Sequence, residues 1–477
     1  MPADVPGTGG TGAGGTGGSA AEPLRLSGSR RIHVVGIGGA GMSAIALVLQ
    51  AMGHRVSGSD LKDSPVAERL RSHGITVAVG HRPENVTGAE VVTSSPAVPP
   101  DNVELVAAAA LGARVVRRAE MLAAVCATRR CLAVAGTHGK TTTASMLSLI
   151  LVEAGMHPSF VIGADVNEIG TNAVWDRGEW LVVEADESYG TFRALRPDLA
   201  VLTNVEPDHL DHYGTFDALR LAFAEFVAAS AAPAVVCADD PEAAAIGRQH
   251  GAVGVGTAAG ATYVMDEVVA ARSSVAFRLC GPEGELGLLR VGVPGLHNAR
   301  NAAVATVAAL RAGAPFAAAQ AALARFAGVP RRFEFRGESR GVTFVDDYAH
   351  LPSEVRAALA TARSGGWSRV VAVFQPHRYS RTAALADQFG TAFADADALV
   401  VTDVYSAGER PVPGVSGRLV ADAVRAQDPR LPVTYAAGWE ELRQAVAAQL
   451  RPGDLCLTLG AGDLTTLPDE LLGAPRW

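Results

Sequence analysis

A chain of 477 residues holds about three domains of ordinary size, each large enough to bury its own core. Hydrophobic residues make up 48 % of it and the formal charge is −8, a mildly acidic balance that disfavours binding to nucleic acid or to an anionic membrane surface. Its five cysteines form no CxxC pair and no apolar run approaches the roughly 18 residues of a membrane helix. Reduced thiols in a cytoplasm are expected, without a disulfide frame, structural zinc or membrane insertion.

Residues 1–29 are Gly/Thr-rich at the start, with neither a basic opening nor an apolar stretch, and are expected to be a disordered tail and not a signal peptide. A first domain is expected over 30–128. It opens with RRIHVVGIGGAGMS, a strand running into glycines and then a helix from Met42 to Gln50. The strand HRVSGSD, a helix from Ser64 to Ser72 and the strand ITVAVG follow, an alternation that implies a parallel sheet with helices on both faces. Gly36, Gly38, Gly39 and Gly41 satisfy GxGxxG after a strand, and Asp60 ends the next one. Taken alone the match reads as NAD, yet the same geometry holds any nucleotide diphosphate through its pyrophosphate and a ribose hydroxyl, so a nucleotide-diphosphate sugar fits equally well.

Residues 127–130 read as a linker to a central domain over 129–328. That domain begins with LAVAGTHGKTTT, an apolar run, a glycine-bracketed loop, a lysine and three threonines. Lys62 and Lys140 are the only lysines among 41 basic residues, so lysine persists where a guanidinium would not serve, and a phosphate-cradling loop needs a compact ammonium. Gly136, Thr137, His138 and Gly139 present loop amides to phosphate oxygens, Lys140 reaches the β/γ-phosphates, and the Thr141 hydroxyl ligates magnesium. Ala133 stands where the GxxxxGK[ST] pattern has its first glycine, so the loop is a shortened variant. Next, WLVVEADES ends a buried strand in Glu184, Asp186 and Glu187, of which Glu184, nearest the strand, is the expected magnesium carboxylate. LAVLTNVEPDHLDHY places Asp208, His209, Asp211 and His212 at another strand end; no zinc spacing is present, and a second magnesium or manganese position is expected at His209 or His212.

A third domain is expected over 329–477. Arg331 and Arg332 open it, Asp346, Asp347, Tyr348 and His350 follow its first strand, and His377, Arg378 and Arg381 follow the next. Arginines grouped with a histidine at a strand end suit bidentate binding of a carboxylate. In open α/β sheets ligands sit beyond the carboxyl ends of the strands, which is where these clusters fall.

GIGGAGMS, GTHGKTTT, EADES, TNVEPDHLDHY, GLHNARNAAVA, RRFE, DDYAH, QPHRYSRT and GAGD occur here in the order seen in the Mur ligases, which the chain resembles over about residues 30–470, most closely in the alanine-adding branch. The resemblance implies an α/β protein of three domains: a Rossmann-like nucleotide-binding domain, a P-loop ATPase-like central domain with a parallel sheet, and a Rossmann-like C-terminal domain. It implies a carbon–nitrogen ligase of peptidoglycan precursor synthesis that uses ATP with Mg2+, or Mn2+, to join L-alanine to the lactyl carboxylate of UDP-N-acetylmuramate through an acyl phosphate. A monomer or homodimer is expected.

By the same resemblance Lys140, Thr141 and Thr142 serve the phosphates, and Thr141, Glu184 and His209 the metals. His297, Asn298, Asn301, Arg331 or Arg332 and Asp347 surround the nucleotide. Tyr348, His350, His377, Arg378 and Arg381 lie near the alanine, with Lys140, Glu184, His209, His350, Arg378 and Arg381 as the catalytic set. Gly36, Gly38, Gly39, Gly41, Met42, Ser43 and Asp60 serve the sugar nucleotide. No lysine follows position 140, so the carbamoylated lysine of several sister ligases has no counterpart. Leu351 stands where a second histidine is common, and Tyr189 where an aspartate is; both bear on the choice of amino acid. The nearest alternative is a related ligase taking another amino acid or a recycled peptide.

Overall fold

The computed structural model describes residues 22–474. Of the expected tail, residues 1–21 lie outside the described residues, while its last stretch is docked and not free. Leu24 is 8 % exposed within the core of the first sheet, and Glu22 gives its carbonyl to the Arg114 guanidinium. An apolar side chain among the small residues is enough to anchor the segment.

Three sheets carry the fold. The first has five parallel strands in the order Thr76–Val79, Arg55–Asp60, Arg31–Val35, Val91–Ser94 and Arg114–Arg117. Its centre, Arg31–Val35, buries Ile32, Val34 and Val35, as a strand covered by helices on both faces must. The helix that follows runs Ala40–Ala51, two residues longer at its start than the sequence suggests, because the glycine turn ends at Gly39.

The central sheet has ten strands. Its parallel part, from Val253–Gly256 through Val235–Cys237, Leu199–Leu202, Arg130–Ala135 and Trp180–Glu184 to Ser159–Val166, carries the expected loops. Both ends depart from the expected all-parallel sheet. Tyr263–Ala270, Val275–Gly281 and Gly284–Val291 form an antiparallel meander, and Thr171–Val174 pairs antiparallel with Ser159–Val166. The linker shrinks to a turn at 127–129, since Arg130 already starts a strand. The third sheet is parallel in the order Val342–Asp347, Asp454–Leu459, Arg369–Phe374, Ala398–Val401 and Val433–Tyr435, with Glu334–Ser339 antiparallel at one edge.

One buried charge holds the first unit together. Glu104 is fully buried and accepts from Ser59 Oγ, Asn85 Nδ2 and the Arg82 N–H, with His81 Nδ1 at 3.1 Å and His33 Nε2 at 3.7 Å. Burial raises its pKa, but the bonds from His33, Ser59, Asn85 and Arg82 outweigh that and bring it down to about 2. A carboxyl depressed on folding stabilises the native state above its unfolded pKa and loses that contribution as pH falls through the folded one. Glu104→Ala is therefore expected to cost about 3 kcal/mol at pH 7, and less at pH 3, in urea unfolding at the two pH values. Equal losses at both would show that the charge is not what the site selects.

Candidate active site

Strand Arg130–Ala135 buries its apolar run and ends at Gly136, and helix Lys140–Glu153 begins after Gly139. Gly136 (φ 137°) and Gly139 (φ 78°) take backbone conformations that side chains avoid, and a Cβ on Gly139 would come 2.6 Å from Asn301 Oδ1. The loop is clamped by the end of the neighbouring strand. Thr203 Oγ1 donates to the His138 carbonyl (2.6 Å), and Asn204 Oδ1 accepts from the His138 N–H (2.8 Å). Lys140 Nζ donates to the carbonyls of Gly136 (2.6 Å) and Thr137 (3.1 Å) and to Glu187 Oε1 (2.9 Å). Burial disfavours its charge, yet Glu187, Asp186 and Glu184 outweigh that and hold the ammonium above its ordinary pKa. Thr141 Oγ1 lies 3.0 and 3.1 Å from the two oxygens of Glu184, whose Oε2 also accepts from the Gly163 N–H.

Behind the loop a cavity of about 240 Å³ opens between helix Leu296–Arg311, which follows the central sheet, and helix Pro352–Ser364, which follows the first strand of the third. Of the expected nucleotide residues, His138, Gly139, Thr142, Asn298, Asn301, Arg332 and Asp347 line it, and so does His297. Burial, with Arg332 and Arg300 nearby, brings His297 down to about 4, so it is a neutral imidazole at pH 7. Burial pushes Asp347 up to about 6, although Arg332 and the N–H groups of Ala349 and Phe333 oppose it. Arg331 turns to Asp346 and the Gly460 carbonyl (2.6 Å), while Arg332 lines the cavity.

His138 bridges two units: Nδ1 lies 3.1 Å from Glu354 and Nε2 3.3 Å from Glu206. Burial works against its charge, but the two carboxylates raise it to about 9 and keep it an imidazolium.

On the other side of Lys140, His209 Nε2 lies 3.8 Å from Glu187 and 3.5 Å from Asp208, while the His212 ring packs edge-on against Tyr213. Asp208 pairs with Arg381 (3.0 Å), which reaches His377 Nδ1 (3.1 Å), and the His377 ring is 5.4 Å from that of His350. Burial, reinforced by His350, Arg381 and Arg378, brings His377 down to about 3. Tyr348 meets His350 edge-on and receives the guanidinium of Arg332 at 4.9 Å over its ring. Arg378 (φ 70°) and His209 (φ 52°) are held in the left-handed region, strain that accumulates where loops are built for a ligand. Neutral imidazoles beside Arg378 and Arg381 form a cluster whose guanidinium groups suit a small carboxylate.

The first sheet presents Gly36, Gly38, Gly39 and Gly41 around the start of helix Ala40–Ala51. Two expectations change here. The side chains of Met42 and Ser43 are turned inward, Met42 into the core and the Ser43 hydroxyl onto the Ala40 carbonyl (3.0 Å), so neither can reach a ligand. Asp60 Oδ2 accepts from the Gly38 N–H (2.9 Å), which holds the carboxylate against the glycine turn and leaves it further acceptor capacity. A crevice of about 100 Å³ runs from Gly41 past Arg118 to Gly163, Glu184 and Asp186, and so leads from the glycine turn to carboxylates that face Lys140. A Cβ on Gly41 would press on the Arg118 guanidinium, which lies 3.8 Å from Asp186.

Sequence reasoning passed over Arg118 and Glu354, and named Glu187 only as a strand-end carboxylate beside Glu184. Glu354 sits four residues after His350, in the first turn of a helix, and accepts from the N–H groups of His350 and Leu351; that helical offset is a signal it could have used. Leu351 is buried, so it bears on the pocket through the backbone it shares with His350. The side chain of Tyr189 lies outside the described residues.

The chain matches three family models: "Mur ligase family, catalytic domain" over residues 31–130, "Mur ligase middle domain" over 134–309, and "Mur ligase, glutamate ligase domain" over 331–462. It is 46 % identical to a protein of Saccharopolyspora erythraea named UDP-N-acetylmuramate--L-alanine ligase, over 98 % of this chain and 97 % of that one. A protein of Myxococcus xanthus with the same name is 45 % identical, over 93 % and 94 %. The crystal structure of a UDP-N-acetylmuramate-alanine ligase from Thermotoga maritima superposes with a TM-score of 0.78 at 29 % identity, covering 93 % of this chain and 98 % of that one.

Proposed function

The chain belongs to the Mur ligase family, and on that premise we propose that it joins L-alanine to the lactyl carboxylate of UDP-N-acetylmuramate at the expense of ATP, giving ADP and phosphate, in peptidoglycan precursor synthesis. The observation that carries this is the convergence on Lys140: the crevice from Gly41 reaches Glu184 and Asp186, which with Glu187 face its ammonium, and Asp208, beside His209, pairs with Arg381, which reaches His377.

A carboxylate does not condense with an amine in water, because its oxygen is a poor leaving group. The lactyl carboxylate attacks the γ-phosphorus, the bond to ADP breaks, and an acyl phosphate forms. The alanine amine then adds to the acyl carbon, and the tetrahedral intermediate expels phosphate. Lys140 meets the terminal phosphate, Asn298, Asn301, Arg332 and Asp347 surround the nucleoside, and Arg378 and Arg381 take the alanine carboxylate. Neutral His350 and His377 beside them leave room for an amine without repelling it. His138, linking the loop to Glu354, holds the third unit against the second, which excludes water from the acyl phosphate.

The donors fit a divalent cation. Glu184, Asp186 and Glu187 face Lys140 and Arg118, so the crevice is net negative before any anionic substrate enters. The Thr141 hydroxyl and the Glu184 carboxylate are hard oxygen ligands that suit Mg2+ with phosphate and water completing its shell. Among the described residues no three His, Cys, Asp or Glu side chains form a metal cage, which agrees with a cation shared with the phosphates. Bound there, Mg2+ neutralises charge developing on the transferred phosphoryl group. His209 offers a nitrogen to a second cation, Mg2+ or Mn2+. No helix among the described residues is long and apolar enough to cross a membrane, which is consistent with a cytoplasmic site of action.

Phosphate release from ATP should require UDP-N-acetylmuramate and should be fastest with L-alanine in a panel containing glycine, L-serine and a tripeptide. Turnover with the tripeptide alone would reassign the substrate.

A further inference from the structure

Lys140 has no donor to spare. An ammonium offers three N–H bonds, and here two go to the loop carbonyls of Gly136 and Thr137 and the third to Glu187. Both Glu187 oxygens lie within 2.9 Å of Nζ, so the carboxylate occupies the side of the lysine that a terminal phosphate has to reach.

The way Glu187 is held differs from that of the structural carboxylates. Glu104 accepts from two side chains and a backbone N–H, and Glu354 from two backbone N–H groups besides facing His138. Glu187 is 1 % exposed, and its Oε2 accepts no well-directed hydrogen bond although the ammonium is 2.8 Å away. Its backbone is fixed independently, the carbonyl receiving the Tyr213 hydroxyl at 2.6 Å. A buried carboxylate paired by charge and little else can leave its partner once another anion offers the lysine a better contact. There is somewhere for it to go, since Oε1 is 3.8 Å from His209 Nε2.

We propose that Glu187 is a placeholder for the γ-phosphate: it parks the Lys140 ammonium before nucleotide arrives, competes with the incoming triphosphate for it, and so lowers the affinity for ATP while leaving that for ADP unchanged. This rests on the reading of Lys140 as a phosphate ligand. Glu187 is a positioning residue under this proposal, since it acts on substrate through Lys140. Neutralising it removes a competitor and a like charge beside the γ-phosphate while leaving the β-phosphate contacts of the loop amides alone. A purely structural Glu187, needed to aim the lysine, predicts the reverse, because its loss would slacken the ammonium and weaken ATP.

The experiment is calorimetric titration of the full chain with MgATP and MgADP, comparing wild type with Glu187→Gln. About tenfold tighter ATP binding with at most a twofold change for ADP is expected. Weaker or unchanged ATP binding, or equal shifts for both nucleotides, would overturn the proposal. Wild type that binds neither nucleotide would instead remove the ligase reading itself. If thermal unfolding shows that Glu187→Gln does not fold, Glu187→Asp, whose shorter reach loosens the pair while keeping the charge, should move ATP affinity in the same direction by a smaller factor; no shift there overturns the proposal equally.

Discussion

Lys140→Ala is expected to lower kcat for alanine-dependent phosphate release by about 10³-fold. Two anionic groups meet at the γ-phosphorus, and the ammonium is the loop cation that meets the terminal phosphate, the His138 imidazolium being spent on Glu354 and Glu206. Truncation also leaves Glu187, Asp186 and Glu184 facing one another without it, so charge stabilisation turns into repulsion. Lys140→Arg is the sharper variant. It keeps a positive charge beside Glu187, but the carbonyls of Gly136 and Thr137, at 2.6 and 3.1 Å, close around a compact group and do not accommodate a planar fork. Arginine should therefore preserve the thermal midpoint and still lose at least 10²-fold in kcat. Wild-type turnover in Lys140→Arg would mean that net charge suffices and that lysine was retained here for some other reason.

Much of this site is legible in the sequence because parallel strands advertise their own ends. WLVVE, LAVLT and TFVDD are buried on both faces, read as unbroken apolar runs, and hand the chain to polar residues at the edge where ligands collect. That logic puts Glu184 and Asp347 on the walls of cavities and brings Lys140 and His209 to the same carboxylate, Glu187. It cannot say which way a side chain turns. Arg331 and Arg332 are equivalent on paper, and a positive φ at Arg331 sends it to the Gly460 carbonyl. Met42 and Ser43 follow the glycine turn directly and face inward because the first helical turn docks on its sheet. The meander over 263–291 escaped for a different reason: in Tyr263–Ala270 and Val275–Gly281 apolar residues alternate with exposed ones, a weaker pattern than the parallel runs around them. Glu187 lies in a segment singled out for its carboxylates, yet its pairing with Lys140 joins positions 47 residues apart and exists only in three dimensions.

Glu184→Gln separates charge from shape at the proposed magnesium position. The carboxylate ends strand Trp180–Glu184, receives the Thr141 hydroxyl and accepts from the Gly163 N–H at 2.7 Å. Glutamine keeps the length and one acceptor oxygen, so the strand end and the start of helix Lys140–Glu153 keep their geometry. What it gives up is the negative charge that lets a hard cation sit between Thr141 and the phosphates. The magnesium concentration for half-maximal activity is expected to rise at least tenfold, and kcat at ordinary magnesium to fall about 10²-fold, with partial recovery as magnesium is raised. The recovery distinguishes a lost ligand from a lost fold, which magnesium would not repair. A loss of activity with an unchanged magnesium requirement would transfer the cation to the His209 side, where Asp208 and Glu187 are the nearest carboxylates. In that case Glu184 would serve to orient the Thr141 hydroxyl, and Thr141→Ala should then reproduce the Glu184→Gln defect without adding to it in the double variant.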